Sequence, residues 1–415
     1  MAMAIEQTTL SCGMPLIVEH IPGVKSASLS WWVPAGTATD PPDRLGRAPM
    51  LAELLLRGTT THTSREMADE LDRLGILRAA HAGTQYVRLA ATFVGERIAE
   101  CLPPLAEIIL CPRLDEQGID SARLLCLQAL AGLPDNPQQR AAEILHQRHD
   151  PAPLNRSSLG NEQGLQALTR QDLLTGWQAQ ARPGACILAI AGDVTLAPTA
   201  QLLESLLKDW TGSPPPLAIG QPEHRGTYFH EHEETHQVQI YLAHQAPPEP
   251  SPDARLERVL TSVLSGGSSA RLFAEVREKR ALCYSVYASY ASDKHFGTLT
   301  GYVGTTPDKA QLALDVMLEQ LAHLAGPTAK VTPDELDRAR IGHKSRLVAS
   351  GESTAARASA LASDWHRLGR ARSLGELADE AASITLGQLN DYAHRRALGP
   401  ITIVTLGPGA LKAPQ

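Results

Sequence analysis

"LAATFVGERIAECLPPLAEII" at residues 89–109 and "LTGYVGTTPDKAQLALDVMLEQL" at 299–321 have the same plan in two places. Each opens as a strand, passes through Val-Gly, and continues as a long helix with apolar residues at helical spacing. The next stretches correspond too: "RLDEQGIDSARLLCLQAL" at 113–130 and "KVTPDELDRARIGHKSRL" at 330–347. A recurring order of elements marks an internal repeat. The chain therefore reads as two copies of one α+β unit. Each is a mostly antiparallel sheet with helices packed on one face.

Working outward, "SASLSWWVPAG" (26–36) is an alternating strand that ends in a turn. Helices are expected at 46–57 and 64–74, a hairpin over 76–82 and 85–93, and helices at 95–110, 115–131 and 138–148. "ACILAIAGDV" (185–194) reads as a buried strand. The stretch "DWTGSPPPLAIGQPEHRG" (209–226) is rich in Pro and Gly and marks a linker. The order then repeats: the strand "HQVQIYLAHQ" (236–245), helices at 252–264 and 270–279, strands at 284–291 and 296–303, and helices at 306–325 and 332–350. The expected organisation is an N-terminal domain over 1–212, a linker over 213–226 and a C-terminal domain over 227–415.

A chain of 415 residues is long for a single core, and 43% hydrophobic content can fill two. The net charge of -7 includes no long run of one sign, which argues against a nucleic-acid or anionic-membrane partner. Aromatics, at 4%, are too sparse for a base-stacking platform. Cys12, Cys101, Cys111, Cys126, Cys186 and Cys283 are scattered with no C-x-x-C pair, as in a reducing compartment. The start "MAMAIEQTTLSCG" lacks a basic, then apolar, leader pattern, and no segment is apolar enough to span a bilayer. A cytoplasmic location is expected.

"HEETH" at 232–236 fits H-E-x-x-H, a zinc motif that works when its two His share one helix face. The flanks here have strand character, and "QVQIYLAH" alternates with period two. In a strand, positions i and i+4 lie about 13 Å apart, too far to share an ion. The stretch reads as an exposed loop or hairpin tip, with an adventitious surface metal as the lesser reading. "HQRHD" (146–150) has a feasible ligand spacing but no completing cluster, so a polar helix end is favoured.

Two longer stretches bring in a resemblance. "GRAPMLAELLLRGTTTHTSREMADELDRLG" (46–75) and "LTSVLSGGSSARLFAEVREKRALCYSVYASYASDKHFGTLTGYVGT" (260–305) are similar to the pitrilysin and mitochondrial-processing-peptidase family of zinc metallopeptidases, which includes insulinase-like bacterial proteins. The intervening chain fits too, through "LPDNPQQRAAEILHQ", "PLNRSSLGNEQGLQALTRQDLLTGW" and "ARPGACILAIAGDV". The resemblance implies an inverted zinc motif, H-x-x-E-H, inside the first stretch. Here Pro49 stands where the first His belongs, Ala52 where the catalytic Glu belongs, and Glu53 where the second His belongs. The acidic pair that supplies the third ligand and a supporting carboxylate falls at Ala129 and Ala122. Zinc catalysis needs three protein ligands and an open position for water. Glu53 alone cannot supply them, so no metal is expected in this chain and no hydrolysis by it alone.

The second stretch is nearly intact. The resemblance implies that Arg277 and Tyr284 bind the substrate backbone and stabilise the oxyanion at a zinc site across a closed chamber. Fixed guanidinium and phenol donors suit that role. Ser265, Gly266, Gly267 and Ser268 form a loop whose backbone can approach a peptide. On the residues alone, Arg277 also fits a solvated helix end, and Tyr284 a half-buried strand position. One departure is Ala281, where the family pattern R-G-L-A-Y has Gly.

Some members of the family divide the work between two homologous subunits. The expectation is thus a non-catalytic subunit that lends Arg277 and Tyr284 to a zinc-bearing partner, acting on peptides or unfolded segments held as an added strand. The alternative is an inactive peptidase-like binding or scaffold protein, as a homodimer.

Overall fold

The computed structural model describes residues 4–413. The chain forms two compact units. The first holds a six-stranded sheet of β1 (Ala4–Thr9), β2 (Pro15–His20), β3 (Ser26–Val33), β4 (Leu77–Ala82), β5 (Val87–Val94) and β6 (Ile187–Gly192). Its order is β1-β2-β6-β3-β5-β4, and only β2 and β6 run parallel. The second unit holds β7 (Tyr228–His232), β8 (Val238–Ala246), β9 (Cys283–Ser292), β10 (Gly297–Thr305) and β11 (Thr402–Gly407). Their order is β7-β11-β8-β10-β9, with only β7 and β11 parallel. Setting β1 aside, the two sheets have one topology, so the sequence repeat is a repeat of structure.

The helices of the first half are α1 (Arg47–Leu55), α2 (Ser64–Arg73), α3 (Ile98–Leu110), α4 (Glu116–Ala131), α5 (Pro137–His149), α6 (Glu162–Ala167), α7 (Arg170–Gln180) and α8 (Leu196–Leu206). Those of the second are α9 (Ala254–Ser265), α10 (Ala310–Ala322), α11 (Pro333–Gly351), α12 (Thr354–Leu368), α13 (Leu374–Ala382) and α14 (Leu386–Arg395). Capping is local and legible: Thr63, Thr169 and Thr385 each close a capping box at the start of α2, α7 and α14. No helix among the described residues is long and apolar enough to cross a membrane.

The expected helical layer covers one face of each sheet. On β3 the alternate residues Ala27, Leu29, Trp31 and Val33 join the main core of the first unit. The opposite face is also apolar and is covered by one helix. Ile17, Trp32, Ile187, Ala189 and Ala191 pack with Ala358, Leu361 and Ala362 of α12. Burial on both faces explains the unbroken apolar run of β6.

The second unit repeats the arrangement. Val238, Ile240 and Leu242 face its main core, while Tyr241, Ala243, Val404 and Leu406 pack with Ala141 and Leu145 of α5. The units are therefore not contiguous halves. Residues 133–151, with α5, belong to the second unit, and 350–373, with α12, to the first. The remaining passage between units falls at Gly220 and Gln221, within the Pro/Gly-rich stretch.

Polar groups fix these covering helices. Arg357 of α12 is buried, and its Nε donates to Glu19 Oε2 at 2.7 Å. Thr354 Oγ1 lies 2.8 Å from Ser28 Oγ. On α5, Arg140 pairs with both Glu231 and Glu233, and buried His149 Nδ1 meets Thr402 Oγ1 at 2.9 Å.

Candidate functional site

The start of α1 is set by Asp40. Its buried carboxylate accepts from the N–H of Gly46 at 3.0 Å and of Ala48 at 3.1 Å. Gly46, at φ +112°, takes a conformation that disfavours a side chain. Pro49 falls in the first turn, where the missing N–H has no helical partner to lose. Burial pushes the pKa of Asp40 up to about 6 against the pull of its two backbone donors and of Arg47.

Along α1, Met50, Leu51, Ala52, Leu54 and Leu55 are buried and Glu53 is exposed. Glu53 Oε2 lies 4.0 Å from Arg57 Nη2. Helix α4 packs against α1. Ala122 is buried, Ala129 is exposed, and Cys126 stands between them on the same face. Burial raises the Cys126 thiol to about 11, and the nearby charge of Glu53 adds to the rise. The two helices that would carry zinc ligands thus lie together. Their facing positions, however, offer one carboxylate and no imidazole, which does not fit zinc. No three His, Cys, Asp or Glu among the described residues are grouped to hold a metal.

"HEETH" has another use. His232 ends β7, and the following residues form a loop. The stretch is not a hairpin tip, because β11 lies between β7 and β8. Glu233 of this stretch joins Glu231 of β7 in holding Arg140. His232 Nε2 turns to Glu234 at 3.1 Å. In "HQRHD", His146 pairs with Asp150 at 2.6 Å while His149 points to Thr402, so the two imidazoles serve different partners.

The second stretch is built from α9 onward. Ser265 closes the helix, and its Oγ accepts from the N–H of Ala288 at 2.8 Å, tying it to edge strand β9. Gly266, Gly267 and Ser268 are exposed. A π-helical turn, Phe273–Glu278, then carries Arg277. Such turns re-aim side chains and are common at functional sites. Ala281 follows at φ +48°, the left-handed region that favours glycine.

Arg277 and Tyr284 come together. The guanidinium carbon lies 4.8 Å from the Tyr284 ring centroid and 4.8 Å from that of Phe273. Tyr284 is 81% exposed. The neighbouring cations share one partner: Lys279 and Arg280 both bind Glu275. The Arg277 side chain makes no hydrogen bond or ion pair among the described residues, so its donor edge is available. Phe273 was missed in the sequence; its position four residues before Arg277, one helical turn away, was the available signal.

Residues 16–161 match the insulinase family (peptidase family M16) and residues 167–342 match the peptidase M16 inactive domain. An uncharacterized zinc protease, YmxG of Bacillus subtilis, is 25% identical over 417 residues, covering 97% of this chain and 98% of its own. The crystal structure of a peptidase M16 inactive domain from Pseudomonas fluorescens superposes with a TM-score of 0.86 at 19% identity, over 99% of both chains. A protease from Helicobacter pylori superposes at 0.82 with 17% identity, over 98% of this chain and 100% of its own. The chain belongs to the insulinase family of zinc peptidases, peptidase family M16.

Proposed function

We propose that this chain is the non-catalytic half of a two-subunit zinc metallopeptidase. A homologous partner supplies zinc, its ligands and the general base. This chain supplies Arg277 and Tyr284 to the peptide being cut. The observation that carries the reading is a contrast within the chain. Positions 49, 52, 53 and 129 hold no ligand set, yet Arg277 stands stacked, unpaired and beside an exposed phenol.

The chemistry follows from these groups. A guanidinium gripped between two rings loses little freedom when it donates to a carbonyl oxygen, and it donates more strongly as that oxygen gains charge. The Tyr284 hydroxyl adds a second donor at the strand edge. Ser265, Gly266, Gly267 and Ser268 line the approach with little side-chain bulk. Peptides or unfolded segments can add as a strand at an open sheet edge, for which β4 and β9 are candidates.

The test mixes the purified chain with a zinc-motif-bearing homologue from the same source and measures bound zinc and peptide cleavage. Cleavage is expected only in the mixture, with zinc in the partner. Hydrolysis by this chain alone, lost on changing His232 or His236, would overturn the reading. Absence of any complex would favour a peptide-binding scaffold.

A further inference from the structure

The second unit contains a cavity of about 270 Å³ between the Gly-Ser loop and α11. Nothing in the reading above uses its α11 wall. That wall presents Arg338, Ala339, Gly342 and Arg346, spaced to share one helix face. The loop wall presents Ser262, Gly266, Gly267 and Ser269, with Val263 and Ala270 beneath. Ile341, 67% exposed, stands at the rim.

The charges in this cavity are unbalanced. Its one acidic side chain, Glu335, is held by Arg271 at 2.7 Å and 3.0 Å. Asp337 is taken by Arg340 at 3.4 Å. Arg338 makes no ion pair among the described residues, and Arg346 donates only to Ser262 Oγ, at 3.3 Å. Arg346 also folds back along its helix, since a Cβ built on Gly342 would lie 3.6 Å from Arg346 Nη1. Arg346 thus bears on the space over Gly342, and Arg338 lines the same cavity one turn earlier. Burial, and then the charges of Arg258 and Arg346, hold the adjacent His343 below its ordinary pKa. Across the gap, the N–H groups of Gly267 and Ser269 meet no acceptor among the described residues. A Cβ on Gly267 would point into open space.

Two unneutralised guanidiniums, hydroxyls and free N–H groups above a small apolar floor suit one anion carried on a short apolar stem. We propose that this cavity receives the C-terminal residue of a peptide. The carboxylate lies over Gly342 between Arg338 and Arg346, and a small apolar side chain rests on Val263 and Ala339. The choice of a peptide end over another carboxylate rests on the peptide-handling function proposed above; the cavity itself does not. A site of this kind would retain a cleaved product or align a substrate by its end.

The test uses the full chain without a partner, so its outcome is independent of whether the mixture cleaves. A fluorescent pentapeptide ending in Val is titrated as the free acid and as the C-terminal amide. The free acid is expected to bind at least tenfold more tightly, as loss of a charge-assisted pair implies. Arg338→Gln and Arg346→Gln should each remove most of that difference, and Gly342→Leu should block binding by filling the cavity, with circular dichroism confirming the fold. Equal binding of acid and amide, indifference to both Arg variants, or equally effective competition by inorganic phosphate would overturn the proposal.

Discussion

The two units have the same scaffold but use equivalent parts differently. In the first, α1 packs on β4 and β5 as ordinary core: Pro49 sits in its first turn, Ala52 is buried, and Glu53 faces Arg57. In the second, the equivalent α9 packs on edge strand β9 and leads into a π-turn that keeps Arg277 stacked and unpaired. A metal site depends on the identities of a few side chains and can vanish through substitutions the fold tolerates. A stacked Arg and Tyr depend on the local backbone path as well. Helix α1 keeps its packing with no ligand set on it, whereas Arg277 and Tyr284 meet at the end of the π-turn.

The largest expected effects concern how each unit anchors its buried charge. Arg357→Ala leaves Glu19 buried with no cation, and its Oε1 already lacks a partner. About 3–5 kcal/mol of destabilisation is expected in urea unfolding. In the second unit, Arg396 makes two bonds to Glu257, at 2.6 Å and 2.8 Å, but Tyr392 Oη also donates to that carboxylate at 2.5 Å. Arg396→Ala should therefore cost less than Arg357→Ala. A reversed order would break the comparison.

Acid should separate the units further. Burial, the leading cause, lowers His149 and His244 from 6.5 to about 4. Between those values the unfolded chain takes up protons that the folded one refuses. The second unit therefore loses stability as pH falls from 6.5 toward 4, by about 3 kcal/mol for each histidine. Asp40 works in the opposite direction. Between 3.8 and about 6 the folded chain keeps a proton that the unfolded one has released, so its contribution is lost as pH rises. All five Trp lie in the first unit and seven of eight Tyr in the second. Trp fluorescence and Tyr near-ultraviolet dichroism can follow the two separately. Asp40→Asn should remove the Trp-reported trend alone.

Arg277→Ala is expected to lower peptide cleavage by the mixed complex about 100-fold, with Tyr284→Phe a smaller step in the same direction. Stability should barely change, because Arg277 holds no ion pair. The smallest effect is at the turn. Ala281→Gly should stabilise the chain by about 1 kcal/mol by relieving the left-handed strain, as thermal unfolding would show.

Much of this was legible in the chain itself. The period-two and helical patterns placed most strands and helices up to α11 within a few residues, because each exposes a regular face to one core; α8, α12, α13, α14 and β11 were not placed. The repeat foretold two copies of one sheet. The frame around Pro49, Ala52 and Glu53 was readable because the neighbouring Gly, Arg and Thr positions persist. "HEETH" was rightly set outside any helix, but its role was not readable: Glu231 and Glu233 bind an Arg nearly a hundred residues earlier.

The sequence by itself determined the elements, the repeated α+β plan and the absence of a ligand set on α1, since these depend on residue identity and local periodicity. Only the tertiary structure decided that α5 and α12 are exchanged between the units and cover the second face of each sheet. An apolar helix face shows that it must be buried, but not against what. Only the structure, likewise, placed Phe273 against Arg277 and left Arg338 and Arg346, among the described residues, without an ion pair at one cavity. Long side chains find their partners through packing, and packing is not written in the spacing of the chain.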